Sequence, residues 1–357
     1  MSLPTVAALE SSRASALASA HVAVVFGGTS GERAVSLITG RDVAAALSND
    51  ADGRGPKRVT AVELDATGRW CVGGEWLAPS DALRALAPLD LVFLGLHGGD
   101  GENGTLQGWL ELQGVAYTGS GAQASALCMD KFALRGVVLQ KGLRVAPGEC
   151  VSAAEWRREA TSVRARIDAL GSDGWFVKPR SGGSSVATTS LKTLDGRPGL
   201  DSALAAVFAI GDDALVEARV RGVELSCGVF EGADGTLRVL PPVEIQPRAG
   251  AFFDYEEKYA ANGAQEFCPP RSISAEACSR VQALARAAHE AARCSGYSRT
   301  DFIVPAQGEP VLLEVNTLPG LTPRSLLPQE AAVVGIDYRS LCLGLAEGAL
   351  ARRRPAP

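Results

Sequence analysis

The 357-residue sequence lacks long apolar runs, an excess of positive charge and a leader-like start. No window approaches about 18 uninterrupted apolar residues, so no membrane-spanning helix is expected. The net charge of -5 provides no basic surface for nucleic acid. Residues 1–20 have no basic start followed by an apolar core, so we expect a loose N-terminal extension and no secretory signal.

Cysteine and histidine are scattered in a way that disfavours disulfide frameworks and zinc sites. The eight cysteines form no C-x-x-C pair, and the only histidines are His21, His97 and His289. Cys294 follows His289 closely, but no further Cys or His lies beside them to complete a zinc site. Free thiols in a reducing cytoplasm are therefore expected.

Strands and helices alternate in the first part of the chain. An apolar strand at 21–26 leads into the glycine loop 27–31 and a predicted helix from Glu32 to about residue 47. A second strand at 91–96 ends at His97 and another glycine-rich loop, and a helix is predicted to begin near Thr105. This alternation predicts a largely parallel, doubly wound α/β sheet, in which ligands bind beyond the carboxyl ends of the strands.

Strands and short helices mix in the rest of the chain, which predicts an α+β organisation. We divide the sequence into the extension 1–20, an α/β domain at 21–125, a central subdomain at 126–237 and a C-terminal subdomain at 238–352. Helices are predicted at about 274–292 and 338–352.

A predicted hairpin near the C-terminus brings acidic residues together. Its apolar runs, 302–304 and 311–315, flank a turn-rich loop. If Val304 pairs with Val311, Asp301 lies opposite Glu314, and Asn316 follows on the same face. Two facing carboxylates and an amide suit Mg²⁺ with bound phosphates. A solvated polar sheet face is an equally good interpretation of these residues alone.

Further candidates for ligand binding have simple structural alternatives. Lys178 precedes the Gly/Ser loop 181–185, which could cradle a phosphate although it is not a P-loop. Glu217 and Glu224 could bind adenine and ribose, but a surface hairpin is favoured for them. Glu32 could bind an ammonium group or simply stabilise its helix N-terminus. His97 could contact a ligand or be a loop histidine, and the aromatic loop 252–259 could be a lid or packing.

Six motifs in this order resemble the D-alanine–D-alanine ligases of the ATP-grasp superfamily. They are GGTSGERAVS (27–36), HGGDGENG (97–104), YTGSG with MDK (117–131), KP…GSS (178–185), FDYEEKY (253–259) and EVNTLPG (314–320). The resemblance covers about residues 22–345. It implies an ATP-grasp fold, usually a homodimer, and transfer of the ATP γ-phosphate to one D-alanine before the amine of a second attacks.

The resemblance also implies a role for each matched residue. Metal ligands would be Asp301, Glu314 and Asn316, holding two Mg²⁺ ions that Mn²⁺ can replace. ATP would be contacted by Lys131, Lys178, Ser184, Ser185, Glu217, Glu224 and Lys258. D-alanine would be bound by Glu32, His97 and Ser325. The oxyanion would be stabilised by Arg299 and the Gly320 N–H, while Ser184 and Tyr259 would link to Glu32 and hold a lid closed.

Departures from the common family pattern concern the second substrate. Asn103 stands where Asp is usual, the run at 180–183 (RSGG) replaces a loop that often carries Glu, and Pro323–Arg324 precede Ser325. D-Serine, D-lactate or another amino acid therefore stays an alternative second substrate, although Tyr259 favours D-alanine. A catalytically silent nucleotide-binding protein is disfavoured because no predicted ligand is lost. A nicotinamide oxidoreductase is disfavoured because the glycine loop after the first strand has no dinucleotide fingerprint.

Overall fold

The computed structural model describes residues 16–49, 52–171, 173–182, 187–192, 196–246 and 264–352, which build three β-sheets with helices packed on them. Among these residues, no helix is long and apolar enough to cross a membrane. The predicted site residues Ser184, Ser185, Lys258 and Tyr259, and the whole of the predicted lid loop 252–259, lie outside them.

The first sheet has six strands in the order β4-β3-β2-β1-β5-β6. The strands are β1 His21–Gly27, β2 Arg58–Leu64, β3 Trp70–Val72, β4 Glu75–Leu77, β5 Leu91–Leu94 and β6 Ala116–Tyr117. Pairs β1–β2, β1–β5 and β5–β6 are parallel, while β3 and β4 join antiparallel. The predicted doubly wound sheet is confirmed, with an antiparallel edge.

Four α-helices belong to the part of this domain that the structure describes, and the first and third of them follow the predicted glycine loops. They are α1 Arg33–Ser48, α2 Pro79–Leu86, α3 Thr105–Leu112 and α4 Ala122–Met129, with short 3₁₀ helices at Ala16–Ser19 and Gly99–Gly101. Every residue of β1 is buried, as expected for a strand covered on both faces. Leu17 is also fully buried in this core, so packed structure begins before the predicted start at residue 21.

The central sheet is antiparallel, with four strands in the order β10-β9-β11-β8. Its strands are β8 Gly148–Val151, β9 Trp175–Pro179, β10 Thr189–Leu191 and β11 Ala214–Ala218, preceded by β7 Arg144–Val145 and by helix α5 Lys131–Gln140. Helices α6 Ala153–Asp168 and α7 Gly196–Ala209 accompany it, and its apolar side chains form a separate core.

The third sheet contains seven strands and carries the predicted hairpin. Its order is β15-β14-β12-β16-β17-β7, with β13 paired to β12. The strands are β12 Val223–Glu231, β13 Leu237–Val239, β14 Val243–Gln246, β15 Gln265–Phe267, β16 Tyr297–Val304 and β17 Val311–Asn316. Helices α8 Ala275–Ala291 and α9 Leu326–Val333 pack on this sheet, whereas the last helix, α10 Tyr338–Ala351, packs mainly on α1 and the first sheet.

Strand β12 changes two expectations. It lies inside the predicted central segment 126–237, yet it is an interior strand of the third sheet, so the sheet boundary falls near residue 222. Strand β11, which carries Glu217, belongs to the central sheet, whereas β12 carries Glu224. The hairpin interpretation of these two glutamates is therefore wrong, because the chain crosses from one sheet to the next between them.

Candidate functional site

The β16–β17 hairpin places Asp301 opposite Glu314, as predicted. The pairing nearer the turn differs from the prediction, because Val311 pairs with Ile303 and not with Val304. A β-bulge between these regions leaves Leu313 without a register partner and restores the expected alignment. Asn316 pairs with Arg299, one step further along the ligand-bearing face.

Asp301 is surrounded by donors. It is 8% exposed and accepts hydrogen bonds from Arg299 Nε at 3.0 Å, Arg299 Nη2 at 2.9 Å, Asn316 Nδ2 at 3.1 Å and Ser226 Oγ at 2.5 Å. The Arg299 guanidinium offsets part of the repulsion between Asp301 and Glu314. Burial opposes the charge on Arg299, but the neighbouring carboxylates, Asp301 first, outweigh it and raise the pKa of Arg299.

Two lysines form ion pairs with glutamates of this region. Lys131 is the first residue of α5, and Lys178 lies on β9 of the central sheet. Lys131 is buried; its Nζ donates to the carbonyl of Gly182 and lies 3.7 Å from Glu314 Oε2. Burial lowers the pKa of Lys131, although the charge of Glu314 opposes this shift. Lys178 Nζ lies 2.6 Å from Glu217 Oε2.

The phosphate-loop candidate is anchored at its start. Asp130 caps α5 and accepts from Arg180 Nε at 2.9 Å and Nη2 at 2.6 Å. The Lys131 N–H also donates to the Arg180 carbonyl at 3.0 Å. These contacts fix the backbone that leads into residues 181–182 beside Lys131.

Glu217 holds two cations. Its Oε1 accepts a hydrogen bond from Arg135 Nη1, and its Oε2 pairs with Lys178. Glu217 is only 4% exposed. Arg135 also donates to the carbonyl of Ala146, so it ties α5 to the start of the central sheet. Sequence reasoning missed Arg135, since a basic residue on a helix gave no signal of its own.

Glu32 and His97 lie on adjacent loops at the carboxyl edge of the first sheet. Glu32 occupies the N-cap position of α1 without a side-chain capping hydrogen bond, and a Cβ atom on Gly98 would lie only 2.5 Å from Glu32 Oε2. Gly98 has φ +64°, so a side chain there would also strain the backbone. Ser30 Oγ donates to the His97 carbonyl at 2.5 Å and joins the two loops.

His97 is a buried link between loops. Its Nδ1 lies 3.2 Å from the Leu318 carbonyl and its Nε2 lies 2.9 Å from Thr39 Oγ1. Because a carbonyl only accepts, Nδ1 carries the proton and Nε2 accepts from the threonine hydroxyl. Burial lowers the pKa of His97 to about 4, so the ring is neutral near pH 7. Both ring nitrogens already have protein partners.

Glu102 is a site residue that sequence reasoning missed. It is 8% exposed and accepts from the Gly98 N–H at 2.9 Å and the Leu318 N–H at 3.4 Å. Burial and then the charge of Glu32 raise the pKa of Glu102 to about 7. Its only signal was its position as the sole glutamate of the motif at 97–104.

The remaining predicted residues lie around the same region. Glu224 is half-buried on β12, where it pairs with Ile303 and Ile245. Ser325 precedes α9, and its Oγ accepts from the Thr322 N–H at 3.1 Å. A Cβ atom on Gly320 would lie 2.8 Å from this oxygen, so the two residues are direct neighbours.

A small cavity is lined by four of these groups, Glu102, Lys131, Glu314 and Asn316. Among the described residues its lining comprises Glu102, Cys128, Met129, Lys131, Gly182, Glu314, Val315, Asn316 and Thr317. A larger cavity of about 300 Å³ lies behind the Gly28–Ser30 and His97 loops, against Trp70 and Trp109. The carboxylate of Glu314, which faces Asp301, and the buried Lys131 line the small cavity and not the larger one.

The oxygen donors resemble a hard-cation site. Among the described residues no group of three or more His, Cys, Asp or Glu side chains is arranged for a metal ion. The predicted set has two carboxylates and one amide, so a bound cation would need further oxygen ligands. Phosphate oxygens and water provide such ligands for Mg²⁺ in nucleotide sites.

Two family sequence models match separate parts of the chain. The model described as "D-ala D-ala ligase C-terminus" matches residues 137–347, and "D-ala D-ala ligase N-terminus" matches residues 77–120. The D-alanine–D-alanine ligase of Leptospira interrogans is 39% identical, covering 93% of this chain and 99% of its own length. The corresponding ligase of Granulibacter bethesdensis is 40% identical, with 93% and 98% covered.

Solved structures agree with these sequence relatives. A D-Ala:D-Ser ligase, VanG, from Enterococcus faecalis has a TM-score of 0.78 at 30% identity, covering 93% of this chain and 99% of its own. A D-alanine–D-alanine ligase from Bacillus anthracis complexed with ATP has a TM-score of 0.75 at 30% identity, covering 94% and 98%.

Proposed function

The chain belongs to the D-alanine–D-alanine ligase family, and from this premise we propose how its residues join two D-alanines with ATP. The enzyme is an ADP-forming ligase that makes D-alanyl-D-alanine for peptidoglycan precursors through an acylphosphate. The observation that carries the residue assignments is the meeting of Asp301, Glu314 and Asn316 with Lys131 and Arg299 around one small region.

Binding of the ATP phosphates is assigned to Lys131 and Lys178. Both are fixed before a nucleotide arrives, Lys131 by the Gly182 carbonyl and Glu314, and Lys178 by Glu217. Prepositioned cations stabilise charge on a transferring phosphoryl group without reorganisation. A carboxylate has about four acceptor sites, so Glu217 can also accept from the adenine amino group. Glu224 is assigned to the ribose.

Mg²⁺ is assigned to Asp301, Glu314 and Asn316. Their oxygens fit a hard cation, and the register brings the two carboxylates face to face. Two ions are expected, and Mn²⁺ can replace them. When bound, the metal neutralises charge on the phosphate oxygens.

Amino-acid binding and activation are assigned to the loops at the edge of the first sheet and to the segment after β17. Glu32 pairs with the ammonium of the first D-alanine, while neutral His97 keeps its loop against residue 318. Arg299 and the Gly320 N–H stabilise the tetrahedral oxyanion, and Ser325 binds the carboxylate of the second D-alanine. Positioning and charge stabilisation supply the catalysis.

Four assignments rest on matched sequence position alone. Ser184 and Ser185 are assigned to the phosphates, Lys258 to ATP, and Tyr259 with Ser184 to closure over Glu32. Tyr259 also supports D-alanine over D-lactate as the second substrate.

A related ligase with another second substrate is the alternative. The VanG D-Ala:D-Ser ligase is 30% identical to this chain and has a similar fold, so the architecture also accommodates D-serine in a relative. The residues at 323–324 border Ser325 and are where such a difference would act.

The test is phosphate release from Mg-ATP with D-alanine alone and with D-serine or D-lactate added, with products identified by mass. D-Alanyl-D-alanine from D-alanine alone is expected. If turnover required added D-serine or D-lactate, the second substrate would not be D-alanine, but the proposed mechanism would stand. An absence of turnover with every acceptor would contradict the ligase assignment itself.

The assembly is assigned as a homodimer in the cytoplasm. The resemblance to the family supports the dimer, and use of ATP supports the location. Light scattering on the purified full chain should give about twice the chain mass of 37.0 kDa. A mass equal to one chain at assay concentration would contradict the dimer.

A further inference from the structure

Cys128 and Cys294 are neighbours in space although they lie 166 positions apart in sequence. Their Sγ atoms are 3.9 Å apart. Cys128 lies near the end of α4, and Cys294 lies in the turn that joins α8 to β16. All eight cysteines are free thiols in this structure, and this pair is already in sulfur–sulfur contact.

The two segments are held together by further contacts. The Ser295 N–H donates to Ser120 Oγ at 3.1 Å, and that hydroxyl lies 3.4 Å from the Ser295 carbonyl. The Cys294 N–H donates to the His289 carbonyl at 2.9 Å, and Arg293 has φ 57°. The turn therefore has a defined shape, and the two thiols do not meet by loose packing.

The surroundings give the two thiols different roles. Cys128 is buried, at 5% exposed, whereas Cys294 is partly exposed. The contact with the Cys128 thiol and the nearby Ser120 hydroxyl lower the pKa of Cys294, although burial opposes them. The same contact and burial raise the pKa of Cys128. Because Cys294 is the more exposed of the two thiols, it is the one that meets an oxidant first.

Cys128 also borders the small cavity described above. It lies on the cavity wall with Lys131 and Glu314, and only two residues separate it from Lys131 along the chain. Between them, Asp130 caps α5 and binds Arg180. A displacement of Cys128 would therefore reach the phosphate-binding side of the cavity.

We propose that Cys128 and Cys294 are a redox modification site, at which peroxide forms a reversible disulfide that slows the ligase. The Cys294 thiolate attacks one peroxide oxygen, the O–O bond breaks, and a sulfenic acid and hydroxide result. The Cys128 sulfur then attacks the Cys294 sulfur, and water leaves as the S–S bond forms. In total, two thiols lose two electrons and two protons, and one hydrogen peroxide becomes two water molecules.

The disulfide must change local geometry. A disulfide bond is about 2 Å long, so the two sulfurs must approach from 3.9 Å by about 2 Å. Part of this movement falls on the end of α4 beside Lys131. Because misplacement by about 1 Å can cost about a hundredfold in rate, we expect the oxidised enzyme to turn over at least about tenfold more slowly.

The experiment treats the full chain with hydrogen peroxide, removes the peroxide with catalase and measures two outputs. Peptide mass under non-reducing conditions should show a Cys128–Cys294 crosslink. Phosphate release with Mg-ATP and D-alanine should fall and return after dithiothreitol. The rate measurement rests on the proposed ligase function, and the activity of the untreated enzyme tests that function separately. The crosslink is detected by mass and does not depend on enzyme activity.

Variants make the assignment specific. Cys294→Ser, with Cys294→Ala as a second form, should start at the wild-type rate and keep it after peroxide. Cys278→Ser removes another partly exposed thiol and should respond as the wild type does. In Cys128→Ser, dimedone should label Cys294 as the trapped sulfenic acid. An absent crosslink, a crosslink without rate loss, or equal inactivation of both Cys294 variants would overturn the proposal.

Discussion

At the residue scale, the site contains charged groups that are held by one another before substrates bind. Arg299 donates two hydrogen bonds to Asp301, through Nε and Nη2, and Lys131 forms an ion pair with Glu314 at 3.7 Å. These pairs are largely buried, so removing one partner leaves the other charge poorly compensated. Each substitution at this centre is therefore expected to affect chemistry as well as local structure.

Glu314→Gln should nearly abolish turnover. The change keeps the side-chain size but removes the negative charge that binds the cation and faces Lys131. Phosphate release over a range of Mg²⁺ concentrations measures the effect. Glu309→Gln, at an exposed loop position of the same hairpin, is the matched control and should keep the wild-type rate. Near-normal activity of Glu314→Gln would contradict the metal assignment.

Arg299→Ala should lower kcat by a factor of about 10²–10³, as for other lost oxyanion donors. Arg299→Lys keeps the charge but not the forked geometry, so we expect only partial recovery. Steady-state kinetics and separate ATP-binding measurements check this. If the variant bound ATP weakly but retained kcat, the oxyanion role would be wrong.

His97 should make stability depend on pH. Burial lowers the pKa of His97 to about 4, below the ordinary value of 6.5. The neutral ring thus contributes stability that is present above pH 6.5 and is lost as pH falls through about 4. From pH 6.5 to 5 the loss is about 2 kcal/mol, at about 1.4 kcal/mol per unit.

Denaturant unfolding of the wild type and His97→Gln at pH 7 and pH 5 measures this contribution. The variant should lose less stability between the two pH values. In NMR spectra the His97 ring should stay neutral at pH 5. A ring that titrates near 6.5 would contradict the burial argument.

At the element scale, the loops that follow β1 and β5 position the site because glycine allows them to approach closely. Gly98 has φ +64° and leaves room for the Glu32 carboxylate. The neighbouring hairpin uses a different device, a β-bulge, to keep Asp301 opposite Glu314. In both cases a local backbone feature decides where a functional carboxylate points.

Gly98→Ala should raise the KM for D-alanine about tenfold or more, because the new methyl displaces the carboxylate that we assign to the ammonium. Gly114→Ala is the matched control. Gly114 has φ +66°, and nothing lies within 4 Å of an added Cβ. An alanine there therefore strains the backbone without contacting a neighbouring side chain. We expect the control to lower stability and leave KM unchanged. Equal KM values in both variants would argue against Glu32 as the ammonium ligand.

At the scale of the whole molecule, all three sheets contribute to the proposed site. The central sheet has an apolar core of its own, whereas the core of the first sheet also includes Phe230 and Tyr297 of the third sheet. The first sheet contributes His97 and Glu102, the central sheet Lys178 and Glu217, and the third sheet the metal ligands. A hydrogen bond from His97 to the Leu318 carbonyl spans the first and third units. A nucleotide bound by Lys178 and Glu217 of the central sheet and, through the metal, by the third sheet should therefore stabilise both sheets.

Mg-ATP should raise the thermal midpoint. At a ligand concentration about 100 times Kd, one bound nucleotide adds about 2.7 kcal/mol to the free energy of unfolding. Thermal unfolding with Mg-ATP, with ATP plus EDTA, and with neither measures this. The Glu314→Gln variant should show a smaller rise. A rise that did not depend on Mg²⁺ would contradict metal-assisted nucleotide binding.

Local sequence patterns determined much of the fold and part of the site. The apolar run at the start of β1 and the helix after Glu32 follow from hydrophobic pattern and capping, which act over a few residues. The pairing of Asp301 with Glu314 followed from alternation in the hairpin, although the bulge beside it was not visible in the sequence. The order of the six motifs indicated the family, and the relatives confirm it.

Tertiary structure alone decided which distant groups meet. Neither Glu102 beside the Leu318 N–H nor Arg135 on Glu217 could be predicted, because those contacts span 216 and 82 positions and depend on how separate sheets pack. The same is true of Cys128 and Cys294, and of the split between β11 and β12. Local propensity is set by neighbours in sequence, whereas burial, pKa shifts and site geometry are set by neighbours in space.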